Sequence, residues 1–404
     1  MKGPLSGKRV AVAGFNARPL ACSLKRAGAE VYVSDYWGDE DLSSCCEEWI
    51  SVLNPRPNQR HRAELETPVH LSLAENLVEN FDCSEMDHIV VGSSFDDHTD
   101  SLRLIEEESI LTGNRSDLFM RARNPTIVAE YARRAGLMFP EKELVGSLSA
   151  ALEAAAELGY PCLIRPVVSG GGSGIRLMRS SADIECYVKR LEDSDEEWQK
   201  VIEQYIPGID LSCSVLGTGA EAITLSLQGQ LIGHPSAGRN CDFVYCGNYL
   251  PAQLDAKDTA HLKSACAQIC KDLELVGSNG MDLVKGPDGG LWLMEVNPRI
   301  QGTLELLETT SKTSVSYMHI MASEGSLPAK MPQFRSGVKM IVYARASGKV
   351  PNLLRWAGTH DRSPEGVTVE RGDPVCTIVE SGSDLANCYG RVRSRAVAIQ
   401  AAIR

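Results

Sequence analysis

Gly280-Met-Asp282-Leu-Val-Lys-Gly-Pro-Asp-Gly-Gly-Leu-Trp-Leu-Met-Glu295-Val-Asn297-Pro-Arg299 reads as two strands joined by the turn Gly286-Pro-Asp-Gly-Gly290. In such a hairpin Asp282 and Glu295 converge across the strands. Glu295 and Asn297 are two apart, so on an extended chain both side chains point to one face. Three oxygen donors are thereby expected at one place. Leu291, Leu293 and Val296 are expected to bury part of the hairpin, and a carboxylate cluster there is costly without a cation.

Hard oxygen donors with an open coordination sphere suit Mg²⁺, which keeps water and substrate phosphates as its other ligands. Asp282, Glu295 and Asn297 are the candidate metal ligands; the plain alternative is a hairpin with an acidic face. A second stretch, Tyr160-Pro-Cys-Leu-Ile-Arg165-Pro, is an apolar strand ending in a cation. After it comes Gly170-Gly171-Gly172-Ser173-Gly174, whose backbone N–H groups can approach phosphate oxygens unobstructed. Alone, that run reads equally well as a hairpin tip. It is not a Walker A loop, because no Gly-Lys-Ser/Thr follows. In a third stretch, Val201-Ile-Glu203-Gln-Tyr205-Ile206-Pro-Gly208-Ile-Asp210, a strand breaks between carboxylates. Taken singly, it is an ordinary strand-to-turn junction.

Outward from these stretches, Arg9 to Gly14 and Glu30 to Asp35 read as strands flanking an amphipathic helix through Leu20, Leu24 and Ala27, the opening of a parallel βαβ sheet. Another strand follows at His88 to Gly92, after a loop around Asn54 to Arg62. Leu262, Ala265, Cys266, Ile269, Cys270 and Leu273 fall on one helical face and read as core. From Gly337 the chain returns to short strands, then a closing helix. The expected architecture is α/β and α+β: a βαβ unit over 1–115, a central unit over 116–330 with a mobile lid at about 145–207, and a small β-rich unit over 331–404.

The chain has 404 residues and a formal charge of −12, with 43% hydrophobic and 23% charged residues, near the average for globular proteins. The negative charge disfavours nucleic acid and anionic lipid as partners. No apolar run approaches a bilayer span, so a cytoplasmic protein is expected. The thirteen cysteines include no Cys-x-x-Cys pair, and most read as buried thiols; Cys45-Cys46 is a minor metal or redox candidate.

In combination and order, these stretches resemble the ATP-grasp superfamily, most closely its biotin carboxylase-like and carboxylate-amine ligase branch, which includes a subgroup of predicted carboligases. The resemblance implies ATP and Mg²⁺ (or Mn²⁺) as cofactors. It implies that Asp282, Glu295 and Asn297 hold the metal, and that Arg299 faces the transferred phosphate and the acyl substrate. Glu203 and the backbone of Tyr205 and Ile206 would lie along adenine, Asp210 near the ribose, and Gly170 to Gly174 would form the phosphate lid. Members usually carry lysine where Arg165 stands and another near Asn124; here Arg165, with Arg121 or Arg123, is expected to supply that charge. Asn16 and Arg18, in the turn after the first strand, are minor candidates for a substrate contact. Gly247-Asn248 beside aromatics reads equally as acceptor pocket or rigid loop.

The implied function is an ADP-forming ligase that joins a small-molecule carboxylate to an amine through an acyl phosphate, with Arg299, Glu295 and Arg165 as catalytic residues and a homodimer as a possible assembly. The alternatives are a carboxylase using bicarbonate, disfavoured because Arg299-Ile-Gln301-Gly302-Thr303 lacks a following Glu-His pair, and a regulatory module that binds ATP without turnover.

Overall fold

A computed structural model describes residues 3–168, 170–192, 198–239 and 243–404. The N-terminal strands β1 (Arg9–Gly14), β2 (Glu30–Asp35), β3 (Glu48–Ser51) and β4 (His88–Val91) form a parallel sheet in the order β3-β2-β1-β4. Helix Arg18–Arg26 crosses from β1 to β2 and buries Leu20 and Leu24. In an open parallel sheet the carboxyl ends of the strands are where ligands gather. Here they face the rest of the chain.

A second sheet is antiparallel, built from β5 (Lys142–Val145), β6 (Cys162–Pro166), β7 (Arg176–Met178) and β8 (Lys200–Gln204) in the order β5-β8-β6-β7. Ala151, Ala154, Ile164, Ile184 and Ile202 form its core with helices Leu148–Leu158 and Ser181–Glu192.

The third sheet has eight strands. It contains β9 (Ile209–Thr218), β10 (Ala222–Ile232), β11 (Tyr245–Leu250), β12 (Val276–Lys285), β13 (Leu291–Asn297) and β14 (Ser336–Tyr343). After the short β15 (Gly348–Lys349) come β16 (Thr359–His360), β17 (Thr368–Val369) and β18 (Pro374–Gly382). The order is β13-β12-β9-β10-β11-β14-β18-β16, with β15 and β17 paired apart. Helix Ala256–Asp272 covers β9 and β10 with the expected stripe of Leu262, Ala265, Cys266, Ile269 and Cys270. The C-terminal region is β-rich and has its own core around Val342, Val375 and Val392. Its main strands extend the large sheet through β11 and β14 and do not form a separate one.

Arg18, 1% exposed, joins the N-terminal unit to the rest. Its Nη1 and Nη2 donate to Glu305 at 2.8 and 2.9 Å, and its Nε donates to Asp361 at 2.7 Å. Arg18 is therefore not available as a substrate contact; two carboxylates distant in sequence, Glu305 and Asp361, occupy its donors. Cys22 and Cys45 are bonded to each other, which ties the first helix to the following short turn; of the adjacent pair, Cys45 is thus a disulfide cysteine. Among the described residues no helix is long and apolar enough to cross a membrane.

Removing one member of a buried ion network strands the others without compensation. Arg18→Met is expected to cost roughly 3–5 kcal/mol of unfolding free energy, read from urea denaturation.

Candidate active site

The hairpin has the expected register. Asp282 stands opposite Glu295 and Gly280 opposite Asn297, with a bulge after Asp282 that lets β13 accommodate one extra residue. Gly280 lacks a side chain for a packing reason: an added Cβ would lie 1.8 Å from Gln301 Nε2. The Asp282 carboxylate accepts from Gln230 Nε2 at 2.8 Å and from Asn297 Nδ2 at 3.1 Å. Burial and then the neighbouring charge of Glu295 push its pKa up to about 7, against the pull of Arg299 and these two hydrogen bonds. A buried carboxyl with too little compensating charge suits a cation. Among the described residues no three His, Cys, Asp or Glu side chains form a protein-only metal cage; Asp282, Glu295 and Asn297 instead offer two carboxylates and an amide, a partial set that fits Mg²⁺ completed by phosphates and water.

Two arginines border this set, each held by an aspartate from the loop after β4. Arg299 Nε lies 2.9 Å from both oxygens of Asp96. Arg123 makes a bidentate pair with Asp97, at 2.7 and 2.8 Å, and also pairs with Glu295. Burial works against the Arg123 charge, but Glu295 and Asp97 outweigh it and hold the guanidinium firmly protonated. Of the two arginines expected near Asn124, Arg123 is therefore at the site. Arg121 is not: it pairs with Glu274 and donates to the Asp272 carbonyl. Asp96 and Asp97 escaped the sequence reading, although the run Phe95-Asp-Asp-His98 just past a buried parallel strand is where such a signal belongs.

Arg165, next to last in β6, donates from Nε to Glu203 at 2.9 Å. Lys142, opposite Glu203 on β5, brings its ammonium to 3.5 Å from the same carboxylate. Lys142 was also missed. Burial lowers its pKa, with Glu203 opposing and Arg165 assisting, and the charge of Glu295 reaches it as well. Tyr205 and Ile206 follow β8 as the link into β9. Asp210, at the start of β9, has its pKa raised to about 6 by burial, and no hydrogen bond to its side chain is seen among the described residues.

The glycine run is the tip of the β6–β7 hairpin, and it is docked. Tyr245 N–H donates to the Gly171 carbonyl at 3.0 Å. Gly172, at φ +77°, passes so close to the chain leading into β11 that a Cβ would sit 1.7 Å from the Phe243 carbonyl oxygen. Phe243 meets Tyr205 edge-on at 6.1 Å. Tyr245, which receives the tip, feels the charges of Asp282 and Arg299. The tip, the inter-sheet link and the carboxylate hairpin therefore border one region.

The folded-state pKa of Asp282, about 7, lies above its ordinary 3.8, so the unfolded chain ionises first and this group's contribution to stability is lost as pH rises between the two values. Asp282→Asn is expected to stabilise the metal-free protein near pH 8 by on the order of 2 kcal/mol, with the gap narrowing toward pH 4. Urea unfolding in chelator at several pH values reads it.

Residues 128–303 match the ATP-grasp domain family. The chain is 22% identical over 370 residues to an uncharacterized protein of Methanocaldococcus jannaschii, covering 91% of this chain and 87% of the relative. It is 24% identical over 419 residues to the formate-dependent phosphoribosylglycinamide formyltransferase of Bordetella avium, covering 98% and 96%. The biotin carboxylase domain of the Hydrogenobacter thermophilus 2-oxoglutarate carboxylase, solved as a dimer with MgADP, ADP and bicarbonate, superposes with a TM-score of 0.73 over 96% of this chain and 89% of that one, at 17% identity. That last likeness is one of fold. The glycine tip, the inter-sheet link and the hairpin from Asp282 to Arg299 all lie within the stretch that matches the ATP-grasp domain family.

Proposed function

We propose that this chain is a Mg²⁺-dependent, ADP-forming ligase that phosphorylates a small carboxylic acid and passes the acyl group to an amine. The observation that carries this reading is the convergence of Asp282, Glu295 and Asn297 with two arginines beneath a docked glycine tip. The Bordetella avium relative is named for formate, a carboxylic acid, and for a formyl transfer. A small acid is the corresponding substrate class here.

In this reading ATP lies between the second and third sheets. The backbone of Tyr205 and Ile206 borders adenine, and the partly buried Asp210 carboxylate accepts from ribose hydroxyls. Arg165 and Gly170 to Gly174, with Ser173, enclose the phosphates from the lid side, and Lys142 adds a second cation there. Glu203 orients Arg165 and Lys142 at the nucleotide end. Asp282, Glu295 and Asn297 hold Mg²⁺, which when bound neutralises phosphate charge. Arg299, pinned by Asp96, faces the γ-phosphate and the attacking carboxylate; its fixed orientation supplies stabilisation without reorganisation. The lid excludes water from the acyl phosphate. Residues 1–115, 116–330 and 331–404 are the proposed units, working in the cytoplasm as a homodimer.

Three measurements test the reading. Incubation with Mg-ATP, a panel of carboxylic acids and hydroxylamine is expected to yield ADP and a hydroxamate; ADP release in a bicarbonate arm alone would replace the acid by bicarbonate. Glu295→Gln is expected to lower turnover roughly 100-fold or more, and unchanged activity would sink the metal assignment. Gly172→Ala is expected to raise the KM for ATP roughly tenfold by holding the lid off Phe243, read from initial rates.

A further inference from the structure

From Asp282 a row of polar side chains runs across the large sheet away from the hairpin. Gln230, which donates to Asp282, is directly opposite Asn248 on β11, and Asn248 is directly opposite Lys339 on β14. Residues paired in this way share one face of a sheet. Both Asn248, at 0%, and Lys339, at 3%, are shut off from solvent.

Their donors are underused. Lys339 Nζ donates to the Gly302 carbonyl at 2.7 Å and makes no ion pair among the described residues. Asp361 feels its charge, but one oxygen of that carboxylate is bonded to Arg18. Tyr245 donates its hydroxyl to Asn248 Oδ1, which fixes the amide and leaves Nδ2 as the free end; among the described residues that atom has no hydrogen-bond partner. Gly302 adds room here, since a Cβ at this position would meet only the Tyr245 hydroxyl, at 3.8 Å. A buried ammonium beside a buried unpaired amide N–H is costly unless an acceptor, best an anionic one, joins them.

We propose that Lys339 and Asn248, oriented by Tyr245, form an anion subsite for the distal end of the acid substrate, so that the acid carries a second carboxylate or a phosphate in addition to the carboxylate that reacts. This rests on the ligase reading. Neighbouring strands lie about 4.8 Å apart, so Gln230 and Lys339 are separated by roughly 10 Å of sheet, which their side chains shorten. That interval suits a metabolite of a few carbons with an anionic group at each end. Lys339 is a positioning and specificity residue: it holds the far end while Arg299 meets the reacting end.

The test pairs butyrate with succinate, and glycolate with phosphoglycolate, in the hydroxylamine assay on the full chain. Dianionic acids are expected to show kcat/KM at least about tenfold above their monoanionic partners. Lys339→Met is expected to raise the KM for the dianionic acid about tenfold or more with kcat within about threefold, and Lys339→Arg to restore part of the loss. Asn248→Asp, which sets a carboxylate beside the ammonium, is expected to reproduce the KM effect. Equal use of both members of each pair, unaltered in Lys339→Met, overturns the subsite and leaves the ligase intact. Should no acid turn over, the ligase reading is what fails. The subsite is then judged by thermal shift with succinate and with phosphoglycolate: stabilisation of wild type but not Lys339→Met supports it, and no stabilisation of wild type overturns it.

Discussion

Two carboxylates placed opposite each other on neighbouring strands, Asp282 and Glu295, are the constraint around which this molecule is arranged. Like charges at such a pairing destabilise a sheet. The fold tolerates them because each carboxylate is held differently. Glu295 is drawn outward to Arg123, whereas Asp282 is kept inside by neutral amides from Gln230 and Asn297. The asymmetry leaves one buried carboxyl whose charge the protein does not fully match, and this makes the site receptive to a cation.

The hairpin, the βαβ opening, the core helix and the glycine tip were legible in the sequence because each is a local pattern. Alternation of polar and apolar residues placed Asp282 and Glu295 face to face, and Gly286 to Gly290 supplied the turn. What was not legible depends on contacts between distant segments. Nothing local separates Arg121 from Arg123: both end one helix, and they diverge because one faces Glu274 and the other Asp97 and Glu295. Arg18 read as a minor candidate for a substrate contact, but Glu305 and Asp361, roughly 300 residues away, enclose it. Lys142 gave no signal, since its meaning arises only when β5 pairs with β8.

The large sheet unites regions that sequence reading separates. Pairing of β11 with β14 carries one hydrogen-bonded ladder from the carboxylate hairpin into the C-terminal region. A polar row can therefore cross from Gln230 to Lys339 on one face, through residues that share no sequence neighbourhood. The lid docks by a different means. Its bond to Tyr245 is between main-chain atoms, so what the tip requires of its residues is small size, and Gly172 meets that requirement against the Phe243 carbonyl.

Asp96 and Asp97 are consecutive residues, yet one grips Arg299 and the other Arg123. Both guanidinium groups are thus fastened to a single peptide unit at the mouth of the parallel sheet. A loop that contributes no proposed ligand of its own acts as a ruler: it sets the spacing of the two cations, and any displacement of that peptide moves them together. The carboxyl end of β4 and the placement of both cations are thereby tied to the same few residues of chain.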